Sequence, residues 1–223
     1  AIGAKIPIAL PSGNMIVDIG GGSTEAAVIS MGGVVAHRSA RVAGNRLDET
    51  IQQYVKKKYN LLIGENTAEE IKKTIGSAVP VGNKGTAVSS QRTVGERELT
   101  ADPLPLNATQ MEVRGRDAVT GMPRIINLTS DELVEPMGSV LAQIINAVKG
   151  VLEETPPELA SDIIDKGIVL SGGTSQLRNL DKLMTEITGV PCHLADEPLL
   201  CVVKGCGIAI ENIDLYRRSI IKR

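Results

Sequence analysis

The run Met15-Ile16-Val17-Asp18-Ile19-Gly20-Gly21-Gly22-Ser23-Thr24-Glu25 constrains this chain more than any other stretch. Met15, Ile16, Val17 and Ile19 read as a buried strand, and Asp18 stands just before three consecutive glycines. The chain then enters a second apolar stretch, Ala26-Ala27-Val28-Ile29. The order is strand, turn, strand, which separates it from the strand–loop–helix of P-loop and dinucleotide sites. Glycines admit positive φ and close backbone approach, so the N–H groups of Gly20, Gly21 and Gly22 can converge on an anion. Ser23 and Thr24 add hydroxyl donors, and the Asp18 carboxylate can hold the water shell of Mg2+. By itself the same run also admits a Gly-rich hairpin with no ligand as the lesser reading.

Composition narrows the alternatives. A net charge of -2 gives no electrostatic reason to expect nucleic acid or anionic lipid. The chain has three tyrosines (Tyr54, Tyr59, Tyr216) and neither Phe nor Trp. Its core must be aliphatic, and base stacking on aromatic platforms is excluded as a main function. Cys192, Cys201 and Cys206 are odd in number with no C-x-x-C, which fits a reducing cytosol. No run approaches the roughly 20 apolar residues of a membrane span. At 223 residues there is room for one large domain or two small ones. The start Ala1-Ile2-Gly3, without an initiator Met, suggests a fragment or processed piece.

Along the chain, residues 1–13 are a lead-in broken by Pro7, Pro11 and Gly13. Strands 14–19, 26–30 and 34–42 form an antiparallel meander, with a turn at Gly32-Gly33. A helix follows with Asn45 as N-cap, the stripe Leu47, Ile51, Tyr54, Val55, and a solvated end at Lys56-Lys57-Lys58. Thr67-Ala68-Glu69-Glu70 reads as the capping box of a second helix, with Ile71 and Ile75 apolar and Glu69 beside Lys72. On residues alone, Glu69 with Lys72 reads as a surface ion pair. Residues 81–110 are polar and Gly/Ser/Thr-rich, and disorder is expected there. Short strands at 111–116 and 124–128 flank a Gly121-Met122-Pro123 turn. Ser130 opens the longest helix, whose regular part is expected from Pro136 and which Thr155-Pro156-Pro157 stops. The strand Ile168-Val169-Leu170 then runs into Ser171-Gly172-Gly173-Thr174-Ser175 and a helix ending at Gly189. That places a helix N-terminus and free amides at a second glycine loop. A strand at 190–194 and a helix opened by Pro198, with Gly205 and Gly207 for close packing, complete the chain. Two glycine loops in one α/β chain suggest one ligand gripped from two sides.

These residues together resemble the bacterial actin-homologue family MreB, within the superfamily of actin, sugar kinases and heat-shock chaperone ATPase domains. The resemblance rests on MIVDIGGGSTEAAVIS at 15–30, RVAGNRLDETIQQYVKKKYNLLIGENTAEEIKKTIGSAVP at 41–80, VRGRDAVTGMP at 113–123 and LEETPPELASDIIDKGIVLSGGTSQLRNLD at 152–181. It implies an α/β, actin-like (ribonuclease H-like) second lobe, with a mixed sheet flanked by helices and a smaller α+β subdomain. Residues 14–44 with 128–195 would be the lower subdomain and 45–127 the upper one. Residues 1–13 would be a remnant of the first lobe, and 196–223 would return to it. The resemblance also implies ATP and Mg2+. Asp18 would lie near the metal's water shell, and Gly20, Gly21, Gly22 and Ser23 at the β/γ-phosphates. Thr24 would place the attacking water, Glu69, Glu70, Ile71 and Lys72 would face the ribose and adenine, and Gly172, Gly173, Thr174 and Ser175 would form the adenosine clip.

The implied function is an ATP-dependent cytoskeletal filament that guides cell-wall elongation and rod shape. It would assemble head-to-tail, lie in the cytoplasm at the inner face of the cell membrane, and act with the cell-wall machinery rather than with nucleic acid. The chain departs from the family in several places. The first phosphate loop D-L-G-T-A-N is absent, the water-aligning carboxylate of E-E-P-M-A-A-A-I-G would fall just before Ala1, and Asn45 replaces a usual Asp. Ser23 replaces a usual Thr, and Gly173-Thr174-Ser175 a glycine-richer loop. The chain alone is therefore expected to bind nucleotide poorly and scarcely hydrolyse it, the complete protein being a weak ATPase. Two alternatives stand beside this. The Asp18–Glu25 string is also very like the phosphate loop of exopolyphosphatases and pentaphosphate phosphohydrolases, with Glu25 a metal candidate. A truncated, non-catalytic paralogue is the other.

Overall fold

The computed structural model describes residues 1–81 and 110–214. The expected disorder across 81–110 falls almost wholly outside the described residues. Alternating burial in β1 (Asn14–Ile19) puts Met15, Val17 and Ile19 in the core, with Ile16 and Asp18 on the opposite face. It pairs antiparallel with β2 (Thr24–Ser30), and β2 with β3 (Gly33–Ala40). The β2–β3 turn centres on Met31 (φ 50°) and Gly32 (φ 71°), one residue earlier than the expected Gly32-Gly33. Both central residues at positive φ suit the right-handed twist of a two-residue hairpin. β2 starts two residues before the expected 26, which leaves only Gly20–Ser23 as the loop.

On its other edge β1 pairs in parallel with β7 (Ile168–Ser171), and β7 with β8 (Cys192–Leu194). The five-stranded sheet has the order β3-β2-β1-β7-β8. A second, three-stranded antiparallel sheet holds β4 (Leu61–Leu62), β5 (Gln110–Asp117) and β6 (Pro123–Thr129). At the β5–β6 turn the N–H groups of Thr120 and Val119 donate to Asp117, and Arg124 adds an ion pair, which together hold its carboxyl at about 2.

α3 (Ser130–Glu154) covers β2 and β3 with Met137, Val140, Leu141, Ile144, Ile145, Val148 and Val151, all buried. It begins at Ser130, as expected, and its regular turns run through Pro136 instead of starting there. The Ser130 hydroxyl bonds the Ile75 carbonyl and two acidic residues favour the first turn, so the bond that proline forgoes is tolerated near the helix end. α1 (Gly44–Tyr59) buries Leu47, Ile51 and Val55, and α2 (Glu65–Ile75) buries Ala68, Ile71 and Ile75. Neither predicted side-chain cap forms. Ala43 and Gly64 occupy the cap positions, because α1 starts before Asn45 and α2 starts two residues before Thr67. Sequence reading also missed α4 (Pro157–Lys166), which follows the Pro-Pro stop directly. Pro157 fits the first turn of a helix, where no N–H is required.

The Lys run is more than a solvated helix end. Lys58 and Tyr59 each reach Glu132 Oε2 at 2.6 Å, Tyr54 reaches it at 3.1 Å, and the Thr129 hydroxyl donates to Oε1 at 2.8 Å. Burial works against the charge on Glu132, but the bonds from Lys58, Tyr59 and Thr129 outweigh it and bring the carboxyl down to about 2. A carboxylate depressed on folding stabilises above its ordinary 4.5, and that stabilisation is lost as pH falls from there toward 2. Glu132→Gln is expected to lower stability by about 2 kcal/mol at pH 7 in urea unfolding. The gap between parent and variant should shrink progressively below pH 4.5.

Candidate functional site

Parallel strands end on the same side of a sheet, so the loops after β1 and β7 emerge together. Asp18 stands opposite Ser171 in the pairing, and the Ser171 hydroxyl donates to Asp18 Oδ1 at 2.8 Å. Gly172 turns the chain at φ +87°, and a Cβ there would lie 2.3 Å from the Ile19 carbonyl oxygen. Glycine is required at this position.

In the first loop the Gly20 N–H donates to the Ser23 carbonyl at 3.0 Å and closes a tight turn. The Gly20 carbonyl accepts from the Gly44 N–H (3.2 Å) and the Thr174 hydroxyl (2.7 Å), and the Gly21 carbonyl from the Asn45 N–H (2.8 Å). The loop's carbonyls are thus occupied by α1 and the second loop. The N–H groups of Gly21, Gly22 and Ser23 take no protein acceptor among the described residues. Unengaged amides grouped in one turn are an anion-binding arrangement.

A cavity of about 560 Å3 opens between the loops and α2. Gly20, Gly21 and Asn45 line one side, Glu69, Lys72, Lys73 and Gly76 a second, and Gly173, Thr174, Gln176, Leu177, Arg178 and Leu199 the rest. Its size falls in the range of small-molecule sites, roughly 300–1,000 Å3. Lys72, Lys73 and Arg178 bring cations to the lining, and Leu177 and Leu199 supply apolar surface. Such a lining suits a ligand with both anionic and apolar parts.

Lys72 does not pair with Glu69 as expected. It reaches Asp48 at 2.7 Å and the Gly44 carbonyl at 3.1 Å, whereas Glu69 pairs with Lys73 at 2.7 Å. The Lys72–Asp48 pair is nearly enclosed, at 11% and 13% side-chain exposure. Burial pushes the Asp48 carboxyl up, and the hydrogen bond and charge of Lys72 oppose that.

Six of the predicted site residues line the cavity: Gly20, Gly21, Glu69, Lys72, Gly173 and Thr174. The others lie off it. Thr24 is fully buried and donates to the Val42 carbonyl at 2.6 Å. Ile71 is in the core, Glu70 is exposed, and Ser175 is buried with its hydroxyl on the Gly172 carbonyl. Gly22, Ser23, Gly172 and Asp18 flank the cavity without lining it. The second loop does not lead straight into an α-helix, contrary to expectation. A short 3₁₀ turn (Thr174–Gln176) follows it, and α5 (Leu180–Thr188) starts only after Arg178 has formed a parallel bridge to Ser77. That bridge, with the Ala78 N–H on the Arg178 carbonyl at 2.8 Å, holds the chain extended where a helix was expected. Sequence reading missed Lys73, Gln176, Leu177, Arg178 and Leu199. No motif marks them, since tertiary pairing alone brings them to the cavity.

The residues fit a nucleotide with a hydrated cation. The Asp18 Oδ2 has no protein partner among the described residues and lies at the end of β1, the strand that leads into the loop of unengaged amides, so it is open to a metal's water shell.

The sequence family described as "MreB/Mbl protein" matches residues 1–96 and 84–218. The chain is 45% identical to the cell shape-determining protein Mbl of Bacillus cereus over 221 residues, 99% of this chain and 59% of that protein. To the cell shape-determining protein MreB of Escherichia coli it is 46% identical over 216 residues, 97% and 55% respectively. The crystal structure of MreB5 of Spiroplasma citri bound to ADP superposes with a TM-score of 0.82 at 38% identity, covering 96% of this chain and 57% of that one. The chain therefore spans little more than half the length of these relatives.

Gly172→Ala is expected to cost about 3 kcal/mol in urea unfolding, from the positive φ and the contact with Ile19 combined. Gly189→Ala, at φ +73° in open space, should cost only about 1 kcal/mol.

Proposed function

The chain belongs to the MreB/Mbl family, and from that premise we propose that it is the second lobe of an ATP-dependent, actin-like filament protein that organises cell-wall elongation and keeps cells rod-shaped. The observation that carries the nucleotide part of this reading is the single cavity shared by the loops after β1 and β7. The similarity to ADP-bound MreB5 and to cell shape-determining proteins supports it, and favours it over a polyphosphatase.

In this reading the amides of Gly21, Gly22 and Ser23 receive the β/γ-phosphates, and Asp18 receives water of a bound Mg2+. The metal supplies charge neutralisation at the phosphates. Lys72, neutralised by Asp48, and Glu69 face the ribose and base side, with Gly173 and Thr174 opposite. Thr24, locked on Val42, acts by holding the start of β2 beneath the loop rather than by touching water. Hydrolysis is weak and serves as a timer. It requires groups from the first lobe, so the chain alone binds nucleotide poorly.

α6 (Cys201–Glu211) and the turn before it carry exposed Leu199, Leu200, Val202, Val203 and Ile210. We assign this apolar face to contact with the first lobe. Nucleotide closes the two lobes, and closed subunits then stack head-to-tail by a contact that does not close on itself. Among the described residues no helix is long and apolar enough to cross a membrane.

In the full-length protein, Asp18→Asn should weaken Mg2+-dependent binding of a fluorescent ATP analogue at least about tenfold and abolish ATP-dependent sedimentation, by loss of about 1.4 kcal/mol or more. Sedimentation that needs no nucleotide, or binding unchanged by the substitution, would overturn the reading.

A further inference from the structure

The Gly20 carbonyl is a junction. It belongs to the phosphate-side loop, yet it receives the backbone of α1 through Gly44 and the second loop through the Thr174 hydroxyl. Thr174 is buried, and its Oγ1 lies 2.5 Å from where a Cβ on Gly44 would stand, so the three segments meet with no room between them. The contacts continue from there. The Gly44 carbonyl accepts from Lys72 on α2, and Lys72 is held by Asp48 on α1. The Ser171–Asp18 bond also joins the two sides, but between strand ends that the sheet already holds in register. Thr174 is the side chain that joins loop to loop.

We propose that Thr174 is a positioning residue that couples the two halves of the nucleotide site. This rests on the nucleotide reading given above. With the hydroxyl on the Gly20 carbonyl, a ligand that orders one loop also orders the other. The second half of the ligand then meets a loop already set in place, which is positive coupling between phosphate and nucleoside binding. The hydroxyl acts through Gly20, and the group it positions is the run of unengaged amides at 21–23.

The test separates the two halves in the full-length protein, with adenosine and Mg2+-tripolyphosphate as probes in calorimetry. Saturating tripolyphosphate should tighten adenosine binding in the parent by about tenfold, within the usual range of coupling between sites. Thr174→Val should bring that factor to about one, whatever it does to either affinity taken separately, and Thr174→Ser should keep the coupling. A coupling factor unchanged in Thr174→Val would overturn the proposal, as would no coupling in the parent. A second arm needs no ligand: Thr174→Val should speed amide exchange about tenfold in peptides covering both loops, with α5 unchanged and Thr174→Ser like the parent. Exchange unchanged in the loops would overturn the proposal too. If the parent binds neither probe, the nucleotide reading falls while the exchange arm still decides the role of Thr174.

Discussion

The parallel pairing of β1 with β7 is the constraint on which the rest of the site depends. It joins residues about 150 apart in the chain, with Asp18 opposite Ser171, and so sends two glycine loops out of one sheet edge. Had those strands paired antiparallel, the loops would leave from opposite ends and no cleft would lie between them. The register matters as much as the direction. Because side chains alternate with period two, a one-residue slip would turn Asp18 into the apolar core and bring Val17 or Ile19 out. The buried row Met15, Val17, Ile19 in the core forbids that slip, so aliphatic packing on one face of β1 fixes the polar chemistry on the other.

Much of this was legible in the sequence, and what was not has a common cause. The strands at 14–19 and 168–170, the meander and the apolar face of α3 all announce themselves by local period. The glycine loops announce themselves by composition, and long ordered motifs carried the resemblance to the family. The errors lie where a tertiary contact outweighs a local preference. Arg178 is drawn into a bridge with Ser77, so the helix expected after Ser175 is delayed to Leu180. Lys72 turns to Asp48, 24 positions away, and leaves Glu69 to Lys73. Asn45 and Thr67 look like caps by type and spacing, yet the helices begin ahead of them. In the site itself, Gly20, Gly21, Gly173 and Thr174 were readable as loop residues. Gln176, Leu177 and Leu199 were not, since nothing local distinguishes a residue that lines a cavity from one that merely faces water.

The electrostatics of the cleft follow from that repairing. Lys72 enters it with its charge already balanced by a nearly enclosed carboxylate, and Lys73 shares its charge with Glu69. A cleft whose cations are partly neutralised binds an anion less by bulk attraction than by directed N–H groups, and directed donors discriminate shape better than point charges do. On the proposed nucleotide reading the loop amides therefore carry the selectivity, and Lys72 holds helices α1 and α2 together behind them.

The Glu132 cluster has an optical consequence. The chain contains no tryptophan, and two of its three tyrosines, Tyr54 and Tyr59, bond the same carboxylate where α1 meets α3. Emission from a phenol ring is quenched when its hydroxyl donates to a carboxylate, so light from these two residues reports on a single joint. Any tilt of the small sheet and its helices against the long helix would be written into the protein's own fluorescence, with no label attached.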